Sequence, residues 1–340
     1  MRDGKKYLKN VIVFVLLIAL TFYIILRNQE INNIKEAIIN ANIVFLLIGV
    51  MAMFIYFCCL ALNLKRTLKV LGENAKFLNC LKYETIGFFF SAITPAASGG
   101  QPAQIYFMHK DGHSGAKATL ALLIILCSNH IVTITFSIIS FIFNFGDLSV
   151  LSRILFVVGN FLCLTLLTLY FIAIFSRRTS EALINLCIKA LKKFKVANAE
   201  EKEMKLKNTL EQFQESARYI KSNPRTMVKT LLITTIQMIA YFSVSYWVYR
   251  SLGMNEYGFF HILTIQSILF ITVCVLPLPG SVGVSEVVFL GLYSTIYLPE
   301  QVGSAMILQR GISFYIFVII SSITVIYNVI KKKTKKSINT

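Results

Sequence analysis

Residues 43–63 read IVFLLIGVMAMFIYFCCLALN, a stretch without one charged side chain. About 20 apolar residues span the hydrocarbon core of a bilayer as a helix. In that solvent every backbone N–H and C=O must be satisfied within the protein, and a helix does this locally. The same ruler places full crossings near 9–27, 43–63, 115–143, 152–175, 226–250 and 301–330. Two further apolar segments, 81–110 and 258–298, are interrupted. With 56% of residues hydrophobic and only 15% charged, most of the surface cannot face water. The expected fold is an all-α, polytopic integral membrane bundle of about eight hydrophobic segments, two of them broken. It reads as a single transmembrane domain over 1–340, carrying an amphipathic helical insertion at 177–225 and a basic tail at 331–340. The apolar run that follows the basic leader is too long for a signal-peptide core and lacks a small-x-small cleavage site, so it reads as a retained first helix.

The net charge is +18, from 34 Lys and Arg against 16 Asp and Glu. These cations sit between the apolar runs, which points to the positive-inside rule and anionic lipid rather than to nucleic acid as a partner. Arg2, Lys5, Lys6 and Lys9 put the N-terminus in the cytoplasm; Lys65, Arg66, Lys69, Lys76 and Lys82 do the same for the second loop. The basic 176–225 segment and the tail KKKTKKSINT follow, so both termini are expected inside the cytoplasmic membrane. This parity closes if 81–110 is re-entrant from the cytoplasm and 258–298 either re-enters from outside or crosses twice. Within the insertion, Leu183, Cys187, Ala190 and Phe194, and then Leu206, Leu210, Phe213, Ala217 and Ile220, mark two amphipathic helices, with 195–201 as their turn. Some 45 residues are too few to house a catalytic domain.

The interruptions read TPAASGGQP (94–102) and LPLPGSVGVSE (276–286). Unwound backbone at membrane depth survives only where protein or a water-filled cavity satisfies it. Each break ends one half-helix and starts another, and a half-helix N-terminus offers free N–H groups to an anion. Pro95, Pro102, Pro277 and Pro279 are the expected structural breakers; Gly99, Gly100, Gln101, Gly280, Ser281, Gly283 and Ser285 are the candidate anion-facing residues. Plain chain reversal would account for the same glycines and prolines. The spacing of apolar helix, proline break and apolar helix recurs in the two halves, around Pro95 and Pro277, as in the inverted repeats of transporters.

Arg310 lies within the last crossing, where an unpaired charge costs at least about 2.5 kcal/mol. Glu286 is the expected partner, and two readings stand: a structural ion pair, or an arginine that receives a lipid phosphate or carboxylate with Glu286 orienting it. Asn129 and His130 lie mid-helix and read as interhelical hydrogen bonders; Trp247 reads as an interfacial anchor. No metal-ligand spacing, nucleotide fingerprint or catalytic constellation appears, so no cofactor, metal or catalytic residue is expected.

TPAASGGQPAQIYFMHKDG resembles the Pro-x-x-x-Gly-Gly-Glu-Pro motif of the lysylphosphatidylglycerol synthase transmembrane-region family. PLPGSVGVSE is similar to that family's Pro-x-Pro-Gly-x-x-Gly-x-x-Glu motif, and LQRGISFYIFVII to its closing arginine-containing helix. The resemblance covers roughly 5–335. It implies a flippase-like module that carries an aminoacylated phospholipid such as lysylphosphatidylglycerol to the outer leaflet, blunting cationic antimicrobial peptides. By position the family residues fall on Pro95, Gly99, Gly100, Pro102, Pro277, Pro279, Gly280, Gly283, Glu286 and Arg310, while Gln101 replaces the family glutamate. Bifunctional members add a cytosolic synthase domain that moves lysine from lysyl-tRNA onto phosphatidylglycerol, and the expectation here is a short form without it.

The expected function is thus translocation of an aminoacylated or other phospholipid. The expected partners are the phospholipid headgroup, anionic lipids of the cytoplasmic leaflet and a separate lipid aminoacyl synthase. The alternatives are a phosphatidylglycerol lysyltransferase or a subunit of one, and a membrane scaffold for a lipid-modifying enzyme.

Overall fold

The computed structural model describes residues 31–144, 150–178, 199–274 and 279–338, with isolated positions between 181 and 189. The expected crossing at 9–27, most of the helix at 183–194 and Pro277 lie outside the described residues. Among those described, all regular structure is helical. The elements are α1 (Ile31–Ile39), α2 (Ile43–Val70), α3 (Phe77–Ala92), α4 (Gly100–Lys110), α5 (Gly115–Asn144), α6 (Val150–Phe175) and α7 (Ala199–Lys221). There follow α8 (Pro224–Ser251), α9 (Phe259–Val273), α10 (Val284–Tyr293), α11 (Val302–Arg310) and α12 (Ile316–Ile338). Five helical spans are long and apolar enough to cross a membrane: Ile43–Val70, Gly115–Phe143, Arg153–Phe175, Pro224–Ser251 and Val302–Asn328. Each falls where the apolar runs predict it. The expected turn at 195–201 is different: α7 already begins at Ala199.

Along the membrane-length helices large apolar side chains are exposed, and the interior combines apolar clusters with buried polar groups. Ile142, Phe161 and Ile319 are 60–70% exposed, whereas Gln266, Asn63 and Thr234 are buried. The centre of the bundle is the pair α2 and α8. Gly49 faces Trp247, the Tyr56 and Tyr241 rings lie 5.4 Å apart, and Asn63 Nδ2 donates to Thr234 Oγ1 at 3.1 Å. One residue number rises as the other falls, so the two helices run antiparallel.

The broken segments flank this pair and double back. Helix α3 has 16 residues and α9 has 15, about 24 and 22 Å at 1.5 Å per residue, short of the ~30 Å hydrocarbon core. Lys82 and Tyr83, early in α3, both bond to Asp111 just after α4, the tyrosine hydroxyl donating at 2.8 Å. At the other end of the bundle, Tyr257 OH donates to the Thr295 carbonyl at 3.4 Å, closing the α9–α10 segment. Each segment therefore returns to the end it came from, and the second does not cross twice.

The packing is exchanged between halves: α3 rests on α12, while its counterpart α9 rests on α5, joined there by Ser140 and Ser267 hydroxyls 2.6 Å apart. At the end where α2 leaves the bundle, Glu73 receives the Ser114 amide at 3.4 Å and sits 3.0 Å from His113 Nδ1 and 3.4 Å from Lys117. Partial burial works to raise its pKa, but these three donors outweigh it and hold the carboxylate below its usual range.

Candidate functional site

The two breaks have one backbone design. Pro95 opens a single 3-10 turn through Ala97, and Pro279 opens another through Ser281. The two residues after each proline are left-handed: Ala96 (φ 51°) and Ala97 (φ 53°) in one, Gly280 (φ 57°) and Ser281 (φ 53°) in the other. A non-glycine residue there costs roughly 1–2 kcal/mol. Helix α4 is then capped by Gly99 and α10 by Gly283, each four positions after its proline. Among the described residues, the structural counterpart of Pro95 is Pro279.

The caps are closed by different residues. Gly283 N donates to Glu286 Oε2 at 2.7 Å, and Ser285 Oγ donates to the same oxygen at 2.8 Å. The position matching Glu286 is Pro102, which has no acceptor. There the work falls to Thr94, whose Oγ1 accepts from Gly99 N at 2.9 Å. Both N-cap amides thus bond within the chain. Gly100 is closely packed: an added Cβ would meet Ser91 Oγ at 2.1 Å and the Gly87 carbonyl at 3.0 Å.

The tips of the two segments touch. Ala92 and Ile93 from the first share a buried cluster with Val282 from the second and with Phe314. Gly280 lies against the tip of that phenyl ring, and an added Cβ would come within 2.4 Å of its Cζ. Arg310 reaches this junction from the end of α11. Its Nε donates to Glu286 Oε1 at 2.9 Å and its Nη2 to the Gly280 carbonyl at 3.1 Å, with Phe314 4.3 Å below the guanidinium. The chain immediately beyond Arg310 winds as a π-type turn, Gly311–Tyr315, the kind of irregularity that accompanies functional positions.

The sequence-predicted residues divide between two cavities. Gly280, Ser281, Ser285 and Arg310 line one of about 150 Å³, together with Gln266 and Tyr241. Gln101 lines the other, about 220 Å³, beside Tyr56, Glu84, Ser91, Gln104 and Asn129. Gly99, Gly100, Gly283 and Glu286 line neither and hold the turns together. Aromatic pairs stand between the two spaces: Tyr56 in one meets Tyr241 in the other, and Phe88 meets Phe314 at 5.9 Å.

Sequence reasoning missed Glu84, Gln104, Thr94 and the tyrosine pair. Glu84 left a signal, being the sole acidic residue between Phe77 and Lys110. His130 packs 5.5 Å from Tyr170, Asn129 Oδ1 accepts from Gln237 Nε2 at 3.2 Å, and Trp247 stacks 6.2 Å from Phe45.

The chain matches the family described as "Lysylphosphatidylglycerol synthase TM region" over residues 10–321. It is 26% identical over 326 residues to a UPF0104 membrane protein of Archaeoglobus fulgidus, covering 92% of this chain and 95% of that one. With the UPF0104 membrane protein PH1989 of Pyrococcus horikoshii it shares 24% identity over 336 residues, 95% of this chain and 97% of the relative.

Proposed function

The chain belongs to the lysylphosphatidylglycerol synthase transmembrane-region family, and from that premise we propose that it binds the headgroup of a phospholipid between its two broken segments and passes it across the membrane. One observation carries this reading: Arg310, buried in the bundle, lines a cavity at the point where two doubled-back segments meet. A guanidinium has five N–H donors; the bonds to Glu286 and Gly280 use two of them, and Tyr315 is a further neighbour. The remainder suits a phosphate oxygen, for which arginine is the preferred partner. Glu286 fixes the guanidinium and offsets its desolvation while no lipid is bound. Translocation follows if the aromatic pairs between the cavities part, exposing the headgroup first to one side and then to the other.

The location proposed is the cytoplasmic membrane with both termini inside, since Lys65, Arg66, Lys69, Lys76 and Lys82 share the end of the bundle against which α7 packs. That basic end fits anionic lipids of the inner leaflet and a separate lipid aminoacyl synthase as neighbours. An aminoacylated cargo reaching the outer leaflet would lower the negative charge that attracts cationic peptides.

The test is the movement of fluorescent phosphatidylglycerol in proteoliposomes, read by quencher accessibility. Wild type is expected to accelerate it and Arg310→Ala to remove most of the acceleration, with Arg310→Lys intermediate. Equal rates for wild type and a folded Arg310→Ala variant would sink the proposed site.

A further inference from the structure

Among the described residues three charged side chains are buried: Glu84 (7% exposed), Glu286 (2%) and Arg310 (9%). Two of them pair with each other. Glu84 stands apart: its Oε2 accepts from Gln104 Nε2 at 2.8 Å, and its Oε1 has no hydrogen-bond partner. No lysine, arginine or histidine among the described residues lies within ion-pair distance of it. An ionised carboxylate at such burial is costly, and either a proton or a cationic partner relieves it.

That carboxylate lines the cavity of about 220 Å³. A water takes up ~30 Å³, so the space holds several heavy atoms rather than one small ion. The rest of its wall includes Gln101, Gln104 and Asn129, whose amides carry acceptor oxygens, and the aromatic residues Tyr56 and Phe88. A primary ammonium carries three N–H donors and is drawn to aromatic faces. A quaternary ammonium has none to offer the empty Oε1. We infer that Glu84 makes the cavity beside the first break a binding site for a primary ammonium group.

For the binding site itself this inference stands on Glu84 alone; for its cargo it rests on the translocation reading. Taken together, the two cavities suit a headgroup with a phosphate at Arg310 and an amine at Glu84. The amine could equally arrive as a free alkylammonium, and the experiment separates these sources.

Purified protein in nanodiscs of equal phosphatidylethanolamine and phosphatidylcholine is analysed for retained lipid by native mass spectrometry. In parallel, ethanolammonium and tetramethylammonium chlorides are compared in detergent by thermal shift. The expected result is at least a fivefold preference for phosphatidylethanolamine in wild type that falls to parity in Glu84→Gln. Ethanolammonium, and not tetramethylammonium, is expected to raise the wild-type Tm; this arm needs no variant and so survives a Glu84→Gln protein that fails to fold. Stabilisation by ethanolammonium without any lipid preference keeps the ammonium site and assigns it to a soluble amine. No ammonium selectivity in wild type, or selectivity unchanged in Glu84→Gln, overturns the inference. Absence of movement of both phosphatidylglycerol and phosphatidylethanolamine in proteoliposomes, with ammonium selectivity intact, overturns the translocation reading instead.

Discussion

Glu286 and Arg310 lie 24 positions apart and meet at 2.9 Å, and through them the first turn of α10, the Gly280 carbonyl and the end of α11 become one unit. The sequence left a structural pair and an anion-receiving arginine as rival readings. The geometry makes them compatible: both oxygens of the glutamate have donors, from Gly283, Ser285 and Arg310, while the arginine still faces a cavity.

Breaking one side of a buried pair strands the other charge. Glu286→Gln and Arg310→Met are each expected to lower stability by about 3–5 kcal/mol. The double variant should lose less than the sum of the two. Thermal unfolding of all four proteins in one detergent measures the coupling directly.

Gly280 combines a positive φ with the tip of the Phe314 ring close against it. Gly280→Ala is expected to destabilise by about 1–3 kcal/mol through overpacking, and Phe314→Leu in the same chain should recover part of it. Unchanged stability of Gly280→Ala would mean that the Phe314 ring swings away without cost.

Thr94 is the acceptor that closes the first cap. Thr94→Val keeps the shape but removes the oxygen, with an expected loss of about 1 kcal/mol, while Thr94→Ser should behave as wild type. Hydrogen exchange at the Gly99 amide reads the same bond independently.

Glu73 predicts a pH dependence. Its folded pKa lies below its usual value, so its stabilisation is fully present above the ordinary carboxylate range and is lost as pH falls through the lowered value. Glu73→Gln is expected to cost roughly 1 kcal/mol at pH 7. That difference from wild type should shrink as pH falls below about 4. A difference that persists at low pH would rule out the carboxylate as its source.

Much of the fold was legible because it follows from solvent. Apolar runs such as 43–63 have to be helices in lipid, and they are. The breaks were legible because proline and glycine punctuate a helix wherever they occur: Gly99 and Gly283 sit at the caps. Pro277 and Pro279 are equally good breakers by sequence. The left-handed residues after Pro279 and the cap at Gly283 match that proline to Pro95, which spacing alone did not show.

The sequence by itself determined that this chain is a helical membrane protein with two interruptions and one arginine in its last crossing, because bilayer thickness and backbone hydrogen bonding act on every residue alike. Only the tertiary structure decided that the interruptions touch, that Glu286 is already satisfied and that Glu84 is not. A side chain's partners depend on the depth and facing of helices distant in the chain, which periodicity and composition do not encode. The carboxylate left open in the interior therefore lay in an apolar helix ahead of the first break, outside both motifs.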